Sequence, residues 1–305
     1  MSSLFCEVRD CYFNEDKYIF VAIWCDINIR TTNITFRTYW QKKAHAMAYI
    51  KMEDQFCADD YDGLVIGLAA DLAEHDSGYH THNKDQLLFS HHGCMVISLD
   101  GVKCVLPPMR AAWIPAGIEH KAQTSNVTQY RSLYFDQSLQ SQLPRELKIF
   151  DINPLMSALM ERMSFWELDK PNNEQVNSVN LLIEELNLAQ DSHLNLPIPA
   201  DPRLASWLAG IDDEEFIAPT LAELSLQVGA SAKTITRIFN KEVGMPYQNW
   251  RQQWRLLAAI ELLSKRWRVS TVAHHLAFSS DSAFISFFRE KTGYTPAHFI
   301  RENKE

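Results

Sequence analysis

The sequence predicts a multidomain α+β protein with an N-terminal β-barrel, a helical segment after it, and an all-α C-terminal domain that contains two helix-turn-helix units. Three observations predict this fold. Short apolar runs between turn residues fill positions 63–135, helical periodicity follows over 153–190, and a helix-turn-helix pattern occurs twice beyond residue 201. The 305 residues are enough for about two domains.

The composition is that of a globular protein: 46% of the residues are apolar and 22% are charged, which excludes a disordered chain. No apolar run approaches the ~20 residues of a membrane helix, and the N-terminus lacks the basic segment of a secretory signal. We therefore expect a cytoplasmic protein that has no membrane partner. Residues 216–305 contain 12 Lys and Arg against 7 Asp and Glu, whereas the whole chain carries −9. A basic tail on an acidic body favours contact with nucleic acid through the tail.

Residues 1–58 are assigned to an N-terminal extension whose nature the sequence does not decide. Positions 27–40 read as a strand, because Thr, Ile, Phe and Tyr partly alternate with polar residues. A small subdomain, a surface for a partner, and translated sequence upstream of the true start all stay open. The six cysteines lie before residue 105 with no CxxC spacing, so we expect reduced thiols rather than a disulfide scaffold or a zinc ribbon.

Residues 59–140 are predicted to form the barrel. The dipeptide Asp100-Gly101 between two strand-like runs is a strong signal for a two-residue hairpin. Strands this short and evenly spaced are typical of a small β-barrel or a double-sheet roll. The predicted strands lie at 64–72, 86–90, 95–99, 102–106, 111–114 and 130–135.

Residues 141–195 are predicted to be helical and to link the two domains. A second helix in this segment carries a stripe of Leu182 and Leu186, which offers a surface for a homodimer; packing of the same stripe on the barrel is an equal alternative. Three prolines within 196–202 break regular structure, so the C-terminal domain is assigned to 196–305. The two helices of residues 153–190 are predicted from their apolar periodicity. The other residues of this pattern are Leu155, Leu159 and Met163 in the first helix, and Val179, Ile183 and Leu188 in the second.

The C-terminal domain contains a helix-turn-helix pattern at 220–243. Thr220 and Glu223 form a capping box, which starts a short helix. Gly229 permits a tight turn, and Ser231 then caps a second helix. Two short helices around a three-residue turn that contains glycine are typical of a helix-turn-helix.

A second copy of the pattern follows at 269–292. Phe239 and Phe288 are 49 residues apart, and the glycines that end the two units keep the same separation. Between the copies, residues 247–264 read as a helix that is apolar on more than one face, which predicts burial between both neighbours. Its length of ~27 Å compares with ~34 Å for one turn of B-DNA. The spacing therefore allows two recognition helices to enter successive major grooves.

A series of short motifs runs through the C-terminal domain. They are Leu221-Ala-Glu-Leu, Val228-Gly-Ala-Ser231, Thr234-Ile-Thr-Arg-Ile-Phe239, Gly244, Arg255-Leu-Leu-Ala-Ala-Ile-Glu-Leu-Leu263, Ser282-Ala-Phe284, Phe287-Phe-Arg289 and Gly293-Tyr-Thr-Pro296. With these motifs, residues 203–301 resemble the DNA-binding domain of the AraC/XylS family of bacterial transcription regulators. Two positions depart from the family pattern: Ala277 stands where glycine is usual, and Ser286 stands where arginine is frequent.

The resemblance implies that the outer face of the second helix in each unit contacts DNA. Arg237 would make a bidentate contact to guanine, worth ~1–3 kcal/mol of discrimination. Lys233 and Thr236 would contact bases next, while Lys241 and Arg289 would meet phosphates. The alternative is that these helix faces are only solvated. The implied DNA-binding residues are Ser231, Lys233, Thr234, Thr236, Arg237 and Lys241 in the first unit, and Asp281, Ser282, Ile285, Ser286 and Arg289 in the second.

A second set of motifs lies in the barrel: Gly78-Tyr-His80-Thr-His82, Gln86, Gly93 and Pro115-Ala-Gly117-Ile-Glu-His120. They resemble the two motifs of the cupin fold, in which metal-binding members use three histidines and a carboxylate. His-x-His on a strand places both rings on one face, and a third histidine from another strand closes a site. Gln86 replaces the usual carboxylate, which weakens the affinity for a divalent metal. We therefore favour an effector pocket or a packed barrel without a cofactor; the alternative is a metal site at His80, His82, Gln86 and His120.

Together these features predict a sequence-specific DNA-binding transcription regulator that responds to a small-molecule effector bound in a cupin-like barrel. The expected partners are double-stranded promoter DNA, the effector, a second copy of the chain, and RNA polymerase if the regulator is an activator. We do not expect an enzyme. Two other functions stay open: a metal-dependent cupin enzyme with an attached DNA-binding domain, and a DNA-architectural protein with a degenerate barrel.

Overall fold

The structure is a computed structural model that describes residues 56–302, with the exception of Asp100, His193 and Glu214. These residues all belong to one compact unit. The strand predicted at 27–40 and the first three cysteines lie outside the described residues. Of the other cysteines, Cys57 is exposed, Cys94 and Cys104 are buried, and all three thiols are free.

The N-terminal domain is a nearly closed antiparallel β-barrel, as predicted. Its strands follow the order β7-β5-β2-β6-β3-β4-β8, and β1 pairs with β6. The strands are β1 (Val65–Asp76), β2 (Asp85–Ser90), β3 (Met95–Leu99), β4 (Val102–Leu106), β5 (Arg110–Ile114), β6 (His120–Phe135), β7 (Lys148–Asp151) and β8 (Asn195–Pro197).

All six predicted strands occur, and the pairing of Leu99 with Val102 confirms the two-residue hairpin. Strand β6 begins at His120 rather than at residue 130, because it pairs with β1, β2 and β3 along its length although its first half is polar. Strands β7 and β8 were not predicted. Each has only three or four residues and is held by its neighbour, β5 or β4, rather than by a local pattern.

Two helices, α1 (Pro154–Ser164) and α2 (Asn172–Leu188), cover one outer face of the barrel. They pack against apolar side chains of the strands, among them Phe89, Trp113 and Phe135. A Cβ on Gly67 of β1 would lie 2.0 Å from the carbonyl oxygen of Met163. Only glycine therefore allows α1 to lie this close to β1.

The stripe formed by Leu182 and Leu186 is buried against the barrel of its own chain, with 0% and 1% exposure. The prediction that this stripe forms a homodimer surface is therefore wrong, and the alternative of packing on the barrel is confirmed. The predicted apolar stripe of the first helix is also wrong at Leu155, which is exposed. Met156 and Met160 are buried instead, because the helix turns this neighbouring face toward the strands.

The C-terminal domain is all-α and contains both predicted helix-turn-helix units. The second unit begins at Val269 after Arg268, which provides no side-chain cap, so the capping box of the first unit is not repeated. The helices are α3 (Ala205–Leu208), α4 (Leu221–Gln227), α5 (Ala232–Glu242), α6 (Tyr247–Ser264), α7 (Val269–His275), α8 (Asp281–Thr292) and α9 (Pro296–Glu302).

Helix α6 lies at the centre of this domain and contacts α5, α7, α9 and strands β4 and β8 of the barrel. Its Trp250 is fully buried, and the indole Nε1 donates a hydrogen bond to the carbonyl oxygen of Pro197 at 2.7 Å. Apolar residues of barrel and helices form one continuous core cluster. Among the helices within 56–302, none has the length and apolar character needed to cross a membrane.

Candidate functional site

The outer face of α5 carries a row of three cations, Lys233, Arg237 and Lys241, which we call the cationic row. They are spaced four residues apart, so they follow one line along the helix. All three are exposed, whereas Ile235, Ile238 and Phe239 on the opposite face are buried. The helix is therefore strongly amphipathic, with its charge directed to solvent.

The hydroxyl groups predicted on the same face are used by α5 itself. Ser231 Oγ accepts a hydrogen bond from Thr234 N at 3.2 Å and also lies 3.0 Å from Thr234 Oγ1. Thr236 Oγ1 donates to the carbonyl oxygen of Ala232 at 2.9 Å. The hydroxyl groups of these three residues therefore make hydrogen bonds within α5, and Ser231 caps its N-terminus. The cationic row provides the positive charge on this face of the helix.

Helix α8 presents a different face. Ser280 caps it by accepting a hydrogen bond from Ala283 N at 3.1 Å. An acid, Asp281, stands in the first turn, and Arg289 in the last. All five residues predicted to contact DNA in this unit are exposed: Asp281, Ser282, Ile285, Ser286 and Arg289.

Two arginines of α6 that the sequence analysis did not single out fix the two units to this central helix. Arg251 Nε donates to the carbonyl oxygen of Ala218 at 2.8 Å, just before the first unit. Arg255 Nη2 donates to the carbonyl oxygen of Ala277 at 2.7 Å, in the turn of the second unit, and its guanidinium lies 4.5 Å from the ring centroid of Phe278. Burial lowers the pKa of Arg255 to about 10. Their signal in the sequence is that each arginine directly follows a tryptophan of this helix, Trp250 or Trp254.

In the barrel, the structure brings His80, His82 and His120 together. Ring centroids are 4.4 Å apart for His80 and His120, 5.0 Å for His82 and His120, and 6.0 Å for His80 and His82. The backbones of His80 and His120 exchange two hydrogen bonds of 3.0 Å, which fixes the chain after β1 against the start of β6. Each histidine offers one ring nitrogen to the cluster, and these three nitrogens all lie within 4.8 Å of one another.

Gln86 extends this cluster from β2. Its Oε1 lies 3.2 Å from His82 Nε2, while its Nε2 donates to Ser132 Oγ at 2.9 Å and to the Tyr134 hydroxyl at 3.1 Å. The sequence analysis missed Ser132 and Tyr134. The signal was available, because even-numbered residues of β6 share one face with His120 and several of them are polar.

Burial keeps the imidazoles of His82 and His120 neutral near pH 7. Loss of solvation lowers the pKa of His120 to about 4 and lowers that of His82 as well. His120 is completely buried, and its Nε2 has no hydrogen-bond partner among the described residues. The barrel therefore contains neutral nitrogen donors beside tyrosine, serine and amide groups.

Comparison with known proteins gives two matches to family profiles. A profile described as AraC-like ligand binding domain matches residues 62–187, and one described as helix-turn-helix domain matches residues 224–302. The two matches cover the barrel with its helices and most of the C-terminal domain.

Curated relatives span both domains. The HTH-type transcriptional regulator NimR of Escherichia coli is 27% identical over 240 residues, which is 78% of this chain and 87% of NimR. The thermoregulatory protein LcrF of Yersinia pestis is 26% identical over 77% of this chain and 88% of its own length. The solved structure of ToxT from Vibrio cholerae aligns with 79% of this chain and 99% of its own at 10% identity, with a TM-score of 0.33.

The two profiles and the relatives agree with the order of domains in the fold. The chain belongs to the AraC family of DNA-binding transcription regulators, with an N-terminal ligand-binding domain and a C-terminal helix-turn-helix domain.

Proposed function

We propose that this chain is a ligand-responsive transcription regulator, in which the barrel binds a small-molecule effector and the helices α5 and α8 bind promoter DNA. The cationic row is the observation that carries the proposal. It places Lys233, Arg237 and Lys241 in solvent on one face of a capped helix. This helix packs on α6, which also binds the turn of the second unit through Arg255.

In this proposal α5 supplies most of the base recognition. Arg237, at the middle of the cationic row, makes a bidentate contact to guanine, and Lys241 binds a phosphate. Helix α8 lacks a comparable row, so Arg289 positions the second unit on the backbone while Ser282 and Ser286 face base edges. The carboxylate of Asp281 accepts a hydrogen bond from the amino group of a cytosine.

The effector signal reaches α5 through residues 195–203. Strand β8 pairs with β4 of the barrel, and Ile198 N donates to the carbonyl oxygen of Gly101 at 2.7 Å. At the other end of this segment, the backbone nitrogens of Ala200 and Asp201 donate to the carboxylate of Glu242, the last residue of α5, at 2.9 and 3.1 Å. A change in β4 is therefore transmitted through one short segment to the end of the recognition helix.

A homodimer, and a contact with RNA polymerase if the regulator activates, belong to the same proposal. Leu181 and Leu188 remain exposed on α2 at a separation of seven residues, so two large apolar side chains lie two turns apart on the outer side of this helix. Sedimentation of the full chain and of a Leu181→Ser, Leu188→Ser double variant tests the dimer. A lower mass for the variant is expected.

The experiment for DNA binding is selection of duplexes from a random pool by the full chain. We expect an enriched sequence with two parts about one helical turn apart, and an affinity for it that falls with salt at a log–log slope of about −0.9 per phosphate contacted. The control is a Lys233→Ala, Arg237→Ala, Lys241→Ala variant, which should melt as the unaltered chain does and enrich nothing. Failure of the unaltered chain to enrich any sequence, or an affinity that salt does not change, contradicts the proposal.

A further inference from the structure

The three histidines of the barrel all use Nδ1 in the same way. His80 Nδ1 lies 3.0 Å from the carbonyl oxygen of Gly78, and His120 Nδ1 lies 2.9 Å from that of Ile118. His82 Nδ1 lies 2.5 Å from the carbonyl oxygen of Lys84. A carbonyl oxygen only accepts hydrogen bonds, so each Nδ1 carries the proton. In a neutral ring, Nε2 then carries a lone pair. That of His82 faces another acceptor, Gln86 Oε1, at 3.2 Å, and a cation bound by both atoms would satisfy both.

This arrangement is the one in which histidines bind metal ions. Ligating histidines almost always donate the other ring N–H to a backbone carbonyl or a carboxylate, which fixes the tautomer and the orientation of the ring. A backbone carbonyl provides that support for all three rings here.

A second, independent observation concerns His120. The side chain is completely buried, and its Nε2 has no hydrogen-bond partner in the part of the chain that the structure describes. A buried polar atom without a partner is costly, so an occupant for this atom is expected. Packing of the three rings as an aromatic cluster explains their separations of 4.4–6.0 Å but leaves Nε2 of His120 unsatisfied.

We infer that His80, His82 and His120 bind a divalent transition-metal ion of the Zn²⁺ type, and that the ion keeps a free coordination position for an anionic oxygen atom of the effector. Zn–N bonds of about 2.0–2.1 Å place the three nitrogens about 3–3.5 Å apart. The ring nitrogens already lie within 4.8 Å of one another, so side-chain rotations that close each pair by at most about 1.3–1.8 Å are enough.

The preference for an anion follows from the charge of the ligands, and this part rests on the proposed function. Three imidazoles and the amide of Gln86 are all neutral, so the bound ion keeps both positive charges in a buried site. The nearby carboxylates of Asp59 and Asp85 accept hydrogen bonds from the backbone nitrogens of Asn83 and Ala116, and neither joins the cluster. A negative charge from the effector would therefore balance the ion. Zinc sites with three protein ligands usually leave the fourth position to water or a ligand.

The test uses the full chain, freed of metal with a chelator and then titrated with Zn²⁺ against a chromophoric chelator and with Co²⁺ by visible absorption. We expect about one ion per chain, and a loss of about 100-fold or more in affinity for His80→Ala and for His120→Asn. His80 is only half-buried, so its variant is expected to fold. His92→Ala is the matched control, because His92 lies in the same barrel outside the cluster and should bind as the unaltered chain does. Absence of a bound ion, or binding that His80→Ala does not weaken, overturns the metal site.

Gln86→Glu tests the role of charge. A carboxylate at this position should strengthen Zn²⁺ binding about 10-fold and weaken the spectral change that acetate produces in the Co²⁺ form of the unaltered chain. If acetate leaves the Co²⁺ spectrum of the unaltered chain unchanged, the anionic effector is ruled out while the metal site stands. Duplex selection by the metal-free chain is measured separately, so failure of the metal site and failure of DNA binding are distinguished.

Discussion

The two helix-turn-helix units share one skeleton and differ in their surfaces. Ser231 and Ser280 cap their second helices in the same way, and Phe239 and Phe288 are both fully buried at matching positions. On the solvent side, α5 carries the cationic row, whereas α8 begins with Asp281. The repeat therefore preserves what folds the unit, while the exposed faces of the two units differ in charge.

The largest expected effect tests the equivalence of the two skeletons. Phe239→Ala and Phe288→Ala each remove a fully buried ring, so each should lower the free energy of unfolding by about 3–5 kcal/mol. Urea denaturation followed by circular dichroism measures both. A cost below about 1 kcal/mol in one unit alone would show that the two cores are not equivalent.

The next effect concerns how the second unit is held. Arg255→Ala removes the hydrogen bond to Ala277 and the contact with the ring of Phe278, so it should cost about 2 kcal/mol of stability. Hydrogen exchange should show faster opening over 269–292 than over 220–243. Arg268→Ala, an exposed position on the same unit, is the control and should change neither measurement. Equal opening of both units in Arg255→Ala would contradict this role.

The third comparison separates base recognition from positioning. Arg237→Ala should weaken binding to the selected duplex by about 5- to 150-fold and relax the preference at one base pair. Arg289→Ala should weaken binding to all sequences alike and reduce the salt slope by about 0.9. Fluorescence anisotropy at several salt concentrations measures both variants. If Arg289→Ala relaxes sequence preference more than Arg237→Ala does, the two units have the opposite roles.

The smallest effect lies in the turns. Gly229 has φ +62° and Ala277 has φ +54°. This left-handed conformation is unfavourable for any residue that has a Cβ atom, so it destabilises the fold at Ala277 but not at Gly229. Ala277→Gly should therefore raise the free energy of unfolding by about 0.5–1 kcal/mol, and Gly229→Ala should lower it by a similar amount. Thermal melts of the two variants check the signs. Two shifts of the same sign would show that the turns do not match.

Local patterns predicted most of the fold. The capping box at Thr220 and Glu223, the short apolar runs of the barrel strands and the hairpin at Gly101 depend on residues close in the chain, and all occur in the structure. The short strand β8 escaped prediction because only its pairing with β4 creates it. Likewise, the spacing of His80 and His82 indicated a site, but the backbone carbonyls that orient the rings belong to turn geometry that the sequence does not reveal.

The sequence by itself determined the order of elements and the exposed face of α5, because helix caps and periodicity act over a few residues. Tertiary structure decided which apolar and charged side chains are buried. Leu182 packs on the barrel rather than on a second copy, and Arg255 holds a turn rather than DNA. The physical reason is that burial depends on contacts between segments far apart in the chain, and a local pattern gives the direction of a side chain but not what lies opposite it.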